Sequence, residues 1–250
     1  MPPVSEKLVG FFMVLTRISA FFLVIPIFSW PSIPARIKVS LTLLLAAFFS
    51  MATPVSLASK QVSVPETILL LVNEATYGLA LGLIAAVLFA AVKFGGAIIE
   101  QEMGMTMAEI LDPLTGEEAQ PLGNLLEMMF IIMFLSANGH HLFLLTLSRS
   151  YEAFPAGSIP TIPVLTTGMV RAGSTLLVCG LKLAAPMLAA SMLLMVVLAV
   201  LARLVPEMDI LFISLPLRIG LGLLMVAALL PLFGTFVSEF AELMAKLVPV

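Results

Sequence analysis

Charged residues are scarce in this sequence of 250 residues, since Asp, Glu, Lys and Arg together make up only 11%. Soluble domains carry about 25% charged residues, so this chain has too few polar side chains to cover a surface facing water. The same scarcity excludes intrinsic disorder, which requires low hydrophobicity and high charge. The net charge of -3 provides no basic surface for phosphates, so nucleic-acid binding is excluded as well.

Cysteine and catalytic motifs are also lacking. The single cysteine, Cys179, lies in an apolar run and excludes an internal disulfide or a cysteine-based zinc site. No HExxH, GxSxG or phosphate-loop motif occurs. The adjacent His140 and His141 would point about 100° apart on a helix and cannot bind one metal as an i, i+4 pair can; we expect them to form hydrogen bonds between helices. The sequence therefore predicts no catalytic residues, no metal, no cofactor and no enzyme activity.

Long apolar runs are abundant, with 61% hydrophobic residues and a mean hydropathy of +1.16. A helix needs about 20 apolar residues to cross a bilayer. The runs that reach this length are 8–30, 39–58, 68–99, 122–147, 165–204 and 210–233. The fifth run is too long for one span, and we predict a break near Pro186. The predicted fold class is an all-α membrane protein with a bundle of long, kinked helical hairpins.

Charged residues lie inside these apolar runs. Those well within a run are Arg17, Glu74, Lys93, Arg171, Lys182 and Arg218, and Arg203 lies near the end of its run. A charge at a bilayer centre costs about 2.5–3.5 kcal/mol. One interpretation is that the helix ends differ and that side chains such as Lys93, Arg171 and Arg203 reach the interface. The other is that the helices are buried in other protein or lie partly outside the hydrocarbon layer.

Glu74 is followed at i+4 and i+8 by Gly78 and Gly82, which lie on the same face of a helix. The glycines form a GxxxG pattern, which allows two helix backbones to approach closely. This face predicts a tight polar contact with another helix, with a proton-relay role for Glu74 as the alternative. The residues assigned to intersubunit packing or buried charge are Arg17, Glu74, Gly78, Gly82, Lys93, Arg203 and Arg218.

Residues 100–120 form an acidic connection without a basic residue, in which Met103, Met105 and Met107 alternate around Gly104. Methionine repacks easily against irregular surfaces, so the pattern predicts a gasket that opens and reseals; a solvated loop is the alternative. A turn at 112–116 would fold the segment back into a cavity, and 95–96 is a candidate glycine hinge. The candidate pore-loop residues are Glu102, Met103, Gly104, Met105, Met107, Glu109, Asp112 and Pro113.

Several stretches, in order along nearly the whole chain, resemble the FliR-like family of flagellar and virulence type III export-gate proteins. They are LTRISAFFLVIPIFSWPSIPARIKVSL (15–41), NEATYGLALG (73–82), EMGMTMAEILDPLTG (102–116), FLSANGHHLFL (134–144) with SYEAFPAG (150–157), and the long stretch 183–223. The DPLTG form of the central segment is more similar to the flagellar than to the virulence branch.

The resemblance implies a non-enzymatic export gate in the bacterial inner membrane, within the flagellar basal body. Such proteins assemble with FliP-like and FliQ-like subunits, dock with an FlhB-like protein and pass unfolded flagellar proteins. The virulence counterpart is an alternative, as is a secondary transporter or ion channel that acts alone in membrane lipid with Glu74 and Arg218 as coupling charges.

The resemblance also implies an internal organisation. A FliP-like part would occupy about 1–155 and a FliQ-like helical hairpin 156–250, with the junction near Pro155 to Pro163. The tail 235–247 has apolar residues at helical spacing opposite charged ones, and this spacing itself predicts an amphipathic helix. The helices would project towards the periplasm, which would account for the charges in apolar runs. A plug loop in the channel would correspond to 103–116.

Overall fold

The computed structural model describes residues 4–29, 33–53, 64–105, 120–158, 162–205 and 210–239. The helices are α1 (Val4–Val24), α2 (Pro26–Ser29), α3 (Ala35–Ala52), α4 (Val64–Met103), α5 (Pro121–Ser136), α6 (His140–Ala153), α7 (Ile162–Leu204) and α8 (Ile210–Leu229). A 3₁₀ turn at Leu230–Leu232 follows, and residues 233–239 are helical again. The prediction of an all-α membrane protein is confirmed.

Five of these helices are long and apolar enough to cross a membrane, namely α1, α3, α4, α7 and α8. The pair α5 and α6 would add a sixth span if its two halves cross together. With 40 and 43 residues, α4 and α7 are about 60 and 65 Å long. Fitting either into about 30 Å of hydrocarbon would need a tilt near 60°, whereas membrane helices tilt by about 0–40°. Both helices therefore extend beyond the hydrocarbon layer.

The run 122–147, predicted as one span, is broken. Helix α5 ends at Ser136, α6 begins at His140, and the two are bent by 75°. Asn138 takes the left-handed conformation with φ of 60°, which asparagine tolerates better than most residues. His140 and His141 begin α6, where both are exposed with ring centroids 4.3 Å apart. The prediction that they lie between helices is therefore wrong within this chain.

The predicted break near Pro186 is also wrong, because α7 continues without interruption from Ile162 to Leu204. Membrane helices tolerate an internal proline since neighbouring groups and local adjustments satisfy the freed backbone carbonyl. Helix α8 likewise contains Pro216. Of the amphipathic helix predicted at 235–247, residues 235–239 are helical and the remainder lies outside the described residues.

The chain divides into two compact units. Unit 1 comprises residues 1–88, 138–173 and 240–250, and thus α1 to α3, the first part of α4, α6 and the start of α7. Its core in the described residues combines large apolar side chains of four helices. They are Met13, Ile18, Phe21, Phe49, Leu81, Ile84, Phe143 and Leu147.

Unit 2 comprises residues 89–137 and 174–239. Its core contains an aromatic cluster in which Phe89 lies 5.7 Å from Phe130 and 5.3 Å from Phe134, measured between ring centroids. Phe233, beyond the 3₁₀ turn, lies 6.4 Å from Phe130. Such edge-to-face and tilted contacts stabilise beyond the area they bury. The predicted division at about residue 155 is not tested by these contacts and stays a prediction.

Candidate functional site

A buried ion pair joins α1 to α4 in unit 1. Arg17 and Glu74 each expose only 1% of their side chain. The guanidinium Nε lies 2.6 Å from Oε2 of Glu74, and its Nη2 donates to Oε1 at 3.1 Å. Two parallel charge-assisted hydrogen bonds are the strongest arrangement available to an arginine and a carboxylate. The polar contact predicted on the Glu74 face is thus made to a helix of the same chain.

The remaining donor of Arg17 binds the end of α6. Nη1 donates to the Phe154 carbonyl at 2.9 Å and to the carbonyl and Oγ of Ser150 at 3.3 and 3.4 Å. The last carbonyls of a helix lack partners within the helix and carry partial negative charge, so a cation stabilises them. Glu74 Oε1 accepts the Gly157 N–H at 2.8 Å. The ion pair therefore fixes three separate segments of the chain.

Both tyrosines of the sequence stack on this arginine. The guanidinium carbon lies 4.7 Å from the ring centroid of Tyr77 and 4.3 Å from that of Tyr151. A cation between two aromatic faces is stabilised electrostatically, and more so where water is excluded. Tyr151 also donates its hydroxyl to the Val14 carbonyl at 3.3 Å. We call Arg17, Glu74, Tyr77, Ser150, Tyr151, Phe154 and Gly157 the Arg17 hub.

Sequence reasoning identified Arg17 and Glu74 as buried charges but did not pair them, and it missed the other residues of the Arg17 hub. A signal was available for the tyrosines. The chain has 17 phenylalanines and only two tyrosines, and one of the two, Tyr77, lies three residues after Glu74 in an apolar run. The backbone donors and acceptors at Ser150, Phe154 and Gly157 leave no such signal, because any residue type supplies them.

The glycines beside Glu74 bring α1 and α4 into contact. A Cβ at Gly78 would collide with the Arg17 carbonyl oxygen, and one at Gly82 would lie 2.7 Å from the Phe21 carbonyl oxygen. The two helices therefore approach closely only because both positions lack side chains. A contact of this face with another subunit stays a prediction.

The other predicted buried charges lie apart from the Arg17 hub. Arg171, Lys182 and Arg203 are exposed on this chain, and Lys93 and Arg218 are partly buried. Arg203 lies in the last turn of α7, where its side chain can reach an interface and complement the helix dipole. Lys182 lies near the middle of α7, about 30 Å from each end. Its ammonium needs an acceptor or water wherever that part of the helix lies within the hydrocarbon.

The predicted pore loop begins at the end of α4, in unit 2. Gly104 has a left-handed φ of 76°. Its N–H donates to the Gln101 carbonyl at 3.0 Å, and the Met105 N–H donates to the Glu100 carbonyl at 3.3 Å. This pair of bonds is the Schellman motif, which ends a helix at a left-handed residue. Gly104 therefore stops α4 rather than serving as a flexible point.

The methionines and acidic residues of this loop are placed differently from one another. Met103 is 1% exposed and packs against Gly222 of α8, where a Cβ would collide with its side chain. Met105 and Glu102 are half-buried. Met107, Glu109, Asp112 and Pro113 lie outside the described residues. Occlusion of a pore by this loop thus stays a prediction.

We expect Gly104→Ala to lower the free energy of unfolding by about 1–2 kcal/mol, the cost of a left-handed conformation for a residue with a Cβ. The nearest neighbouring atom to such a Cβ, Leu215 Cδ1, is 3.9 Å away, so crowding adds little. Thermal unfolding in detergent measures the change, and Gly104→Asn should lose less. A loss equal to that of Ala in the Asn variant would contradict a conformational role.

Gly95 and Gly96, predicted as a hinge, lie inside the continuous helix α4. A Cβ at Gly95 would lie 2.9 Å from the Gly180 carbonyl oxygen, and one at Gly96 would lie 2.7 Å from the Gly123 Cα. Both glycines thus serve close packing of α4 with α7 and α5. Glu100 nearby is buried, with Oε2 3.5 Å from the Gly123 N–H. Within the described ranges, no three His, Cys, Asp or Glu side chains lie close enough to hold a metal.

Known proteins match this chain over most of its length. A sequence model of the family described as bacterial export proteins, family 1, matches residues 8–244. The flagellar biosynthetic protein FliR of Escherichia coli (strain K12) is 31% identical over 244 residues, covering 95% of this chain and 92% of the relative. That of Bacillus subtilis (strain 168) is 31% identical over 225 residues, covering 87% and 84%.

A virulence relative matches more partially. The Yop proteins translocation protein T of Yersinia pestis is 28% identical over 165 residues, or 64% of this chain and 62% of the relative. The family match covers the hub of unit 1 and the end of α4 alike, since it extends from α1 to beyond the last described helix. The chain therefore belongs to family 1 of the bacterial export proteins and is a membrane component of a type III export apparatus.

Proposed function

We propose that the chain is a structural and gating subunit of the flagellar type III export gate. In this proposal it assembles with FliP-like and FliQ-like subunits, docks with an FlhB-like protein and lines the channel for unfolded flagellar proteins. The assembly lies in the inner membrane at the flagellar basal body and projects towards the periplasm. The subunit holds other subunits and a channel in place, and it carries out no reaction.

The exposed apolar surface of α7 is the observation that best supports this proposal. Only 22% of its 40-residue apolar window is buried within the chain, and Lys182 is exposed near its middle. In lipid, that ammonium would cost about 2.5–3.5 kcal/mol. A neighbouring subunit that supplies an acceptor or a carboxylate removes the cost, as does placing that segment outside the hydrocarbon. Both conditions are met in a gate of several subunits that extends beyond the bilayer.

A tagged chain expressed with FliP-like and FliQ-like proteins should therefore bring both down in detergent. We expect Lys182→Glu to lower the recovered partners at least tenfold, because like charges or an unpaired acid would face the partner. Lys182→Arg keeps the charge and should retain assembly, and Lys7→Glu, at an exposed lysine of α1, is the matched control. A stable chain that binds neither protein and transports ions by itself would instead identify a transporter or channel.

The flagellar branch is favoured by coverage, since the flagellar relatives match 87% and 95% of the chain and the virulence relative 64%. The chain should restore swimming to a flagellated bacterium whose own FliR is deleted, when expressed with its matching partners. Secretion of virulence effectors without restored swimming would assign it to the other branch.

We also propose that the segment after α4 closes the channel at rest. Burial of Met103 under α8 and the helix stop at Gly104 fix the start of the segment, so the residues that follow it leave from a rigid point. Met103, Met105 and Met107 would supply apolar closure, and Glu102, Glu109 and Asp112 would set the charge of the passage. Pro113 would belong to the turn.

Deletion of residues 106–112 should raise ion leakage through the assembled gate, because the deletion shortens the proposed plug without touching the Gly104 helix stop. Conductance of the purified complex in planar bilayers measures the leak, and co-purification of partners confirms assembly. A deletion within the α7–α8 connection at 206–209 is the control. Unchanged conductance in an assembled 106–112 variant would contradict a plug.

The proposed organisation makes α7 and α8 the FliQ-like hairpin, after a FliP-like part that ends near residue 155. The two helices are joined by residues 205–209 and together supply most of the exposed apolar surface beyond that point. A hairpin with so much uncovered apolar surface requires neighbours of similar character.

A further inference from the structure

An apolar groove runs between α1 and α3 within unit 1. Its volume is about 430 Å³, which lies in the range of small-molecule and lipid-chain sites. The walls are formed by Leu15, Ser19, Phe22 and Leu23 of α1, Phe28 of α2, and Lys38, Val39, Thr42 and Leu43 of α3. Leu23, Val39 and Leu43 are exposed, so the groove is open along its length.

The polar groups of the groove are arranged unevenly. The Ser19 hydroxyl donates to the Thr16 carbonyl at 3.0 Å, and that of Thr42 donates to the Lys38 carbonyl at 2.8 Å. Both hydroxyls thus donate to backbone carbonyls of their own helices, so they do not make the groove wall polar. Lys38 is the one charged residue among the lining residues. The site therefore pairs an apolar channel with a cation.

The charge around the groove is of one sign. From Lys7 to Pro65 the sequence has no Asp or Glu, whereas it has Arg36 and Lys38 in the first turn of α3. Helix α3 begins at Ala35, and its N-cap residue Pro34 makes no side-chain hydrogen bond, so the positive dipole end of the helix adds to these two side chains. The occupant should therefore carry an anionic group next to a long apolar part.

Helix α3 is suited to contact lipid directly. Only 11% of it is buried in the chain, the lowest share among the five candidate spans. Beyond Lys38 it carries no charge, and it exposes Leu44, Phe48 and Met51. It can therefore face acyl chains without burying an ion, in contrast to α7 with its exposed Lys182. A neighbouring subunit could form no ion pair with α3 beyond its first turn.

We propose that this groove binds one anionic phospholipid. An acyl chain lies between Leu15, Phe22 and Leu43, and the phosphate lies near Lys38 and the start of α3, with Arg36 adding to the positive field. The site forms within one chain and so does not require assembly of the gate.

The test is native mass spectrometry of the full chain released from detergent with phosphatidylglycerol or phosphatidylcholine added. We expect the wild type to retain one phosphatidylglycerol and little phosphatidylcholine. Lys38→Gln should lower retention about fivefold, the effect of one basic residue near an anionic headgroup. Lys38→Arg should keep it. Arg203→Gln, an equal change of charge on α7, is the matched control and should leave retention unchanged.

A second variant tests the groove rather than the charge. Ser19→Leu adds bulk to an exposed lining position and should displace the acyl chain while Lys38 remains. Ser40→Leu, the same change at an exposed position of α3 outside the lining, is its control. Equal retention of the two lipids, or retention unaffected by both Lys38→Gln and Ser19→Leu, would overturn the proposal. Cross-linking of a Leu43→Cys variant to another subunit in membranes, with no lipid retained, would assign the groove to a protein neighbour.

Discussion

Replacing Glu74 with alanine should destabilise the chain by about 3–5 kcal/mol, because Arg17 would remain buried without its counter-ion. The change also removes the acceptor of the Gly157 N–H, so the segment after α6 keeps only the hydrogen bond from Asn73 to the Ser158 carbonyl as its described bond to α4. The melting temperature should fall by about 6–20 °C, at about 2–4 °C per kcal/mol for a chain of this length. Reaction of a maleimide dye with Cys179, the single cysteine, reports unfolding on heating.

The double variant Arg17→Met with Glu74→Leu shows whether the Glu74→Ala protein is unstable because Arg17 is left unpaired or because the fold needs the ion pair itself. Removing both charges together should recover most of the lost stability, since a buried ion pair is often replaceable by apolar side chains. Arg203→Met, at an exposed arginine, is the control and should change stability by less than about 1 kcal/mol. A Glu74→Ala protein that melts like the wild type would show that the pair contributes nothing to the fold.

Gly78→Ala should cost about 1–3 kcal/mol although alanine is the better helix former. The added methyl group would collide with the carbonyl oxygen of Arg17 and lie 3.0 Å from the Ala20 Cβ. Backbone atoms cannot rotate away, so α1 would have to move, and its movement would disturb the ion pair four residues from the substitution. The same thiol-reactivity measurement on heating gives the loss of stability.

Gly220→Ala is the matched control for Gly78→Ala, because a Cβ at Gly220 meets nothing within 4 Å. With no collision, the helix propensity of alanine should stabilise α8 by up to about 1 kcal/mol. The two substitutions are chemically identical and should therefore have opposite signs. A loss of stability at both positions would indicate that close approach of α1 and α4 is not what Gly78 provides.

Apolar periodicity and length were sufficient to predict the helical spans, because a 20-residue apolar run has few other structures available to it in a membrane. The predicted ends of the helices were less accurate than their number. The break at Asn138 was not predicted, although Asn-Gly is a turn signal. Hydropathy averaged over a long window hides a turn of three residues. At Pro186 the opposite error occurred, since a rule for helices in water was applied where proline is tolerated.

The Arg17 hub could be predicted only in part, for a physical reason. A charge in an apolar run signals that a partner exists, but the partner lies 57 residues away for Glu74 and 133 for Ser150. Sequence spacing identifies neighbours on one helix, whereas contacts between helices depend on how the helices pack. Glu74 and Glu127 are the acids inside the predicted apolar runs, so pairing charges between helices would have left two candidate partners for Arg17.

The separation of the hub residues along the chain also bears on how the protein enters the membrane. Helix α1 leaves the ribosome before α4 is made, and at about 5–20 residues per second the 57 residues between Arg17 and Glu74 take roughly 3–11 s. During that interval the arginine has no carboxylate, and the two tyrosine rings and the α6 carbonyls that will surround it are also absent. Stable insertion of the first helix must therefore wait until α4 and α6 have been made.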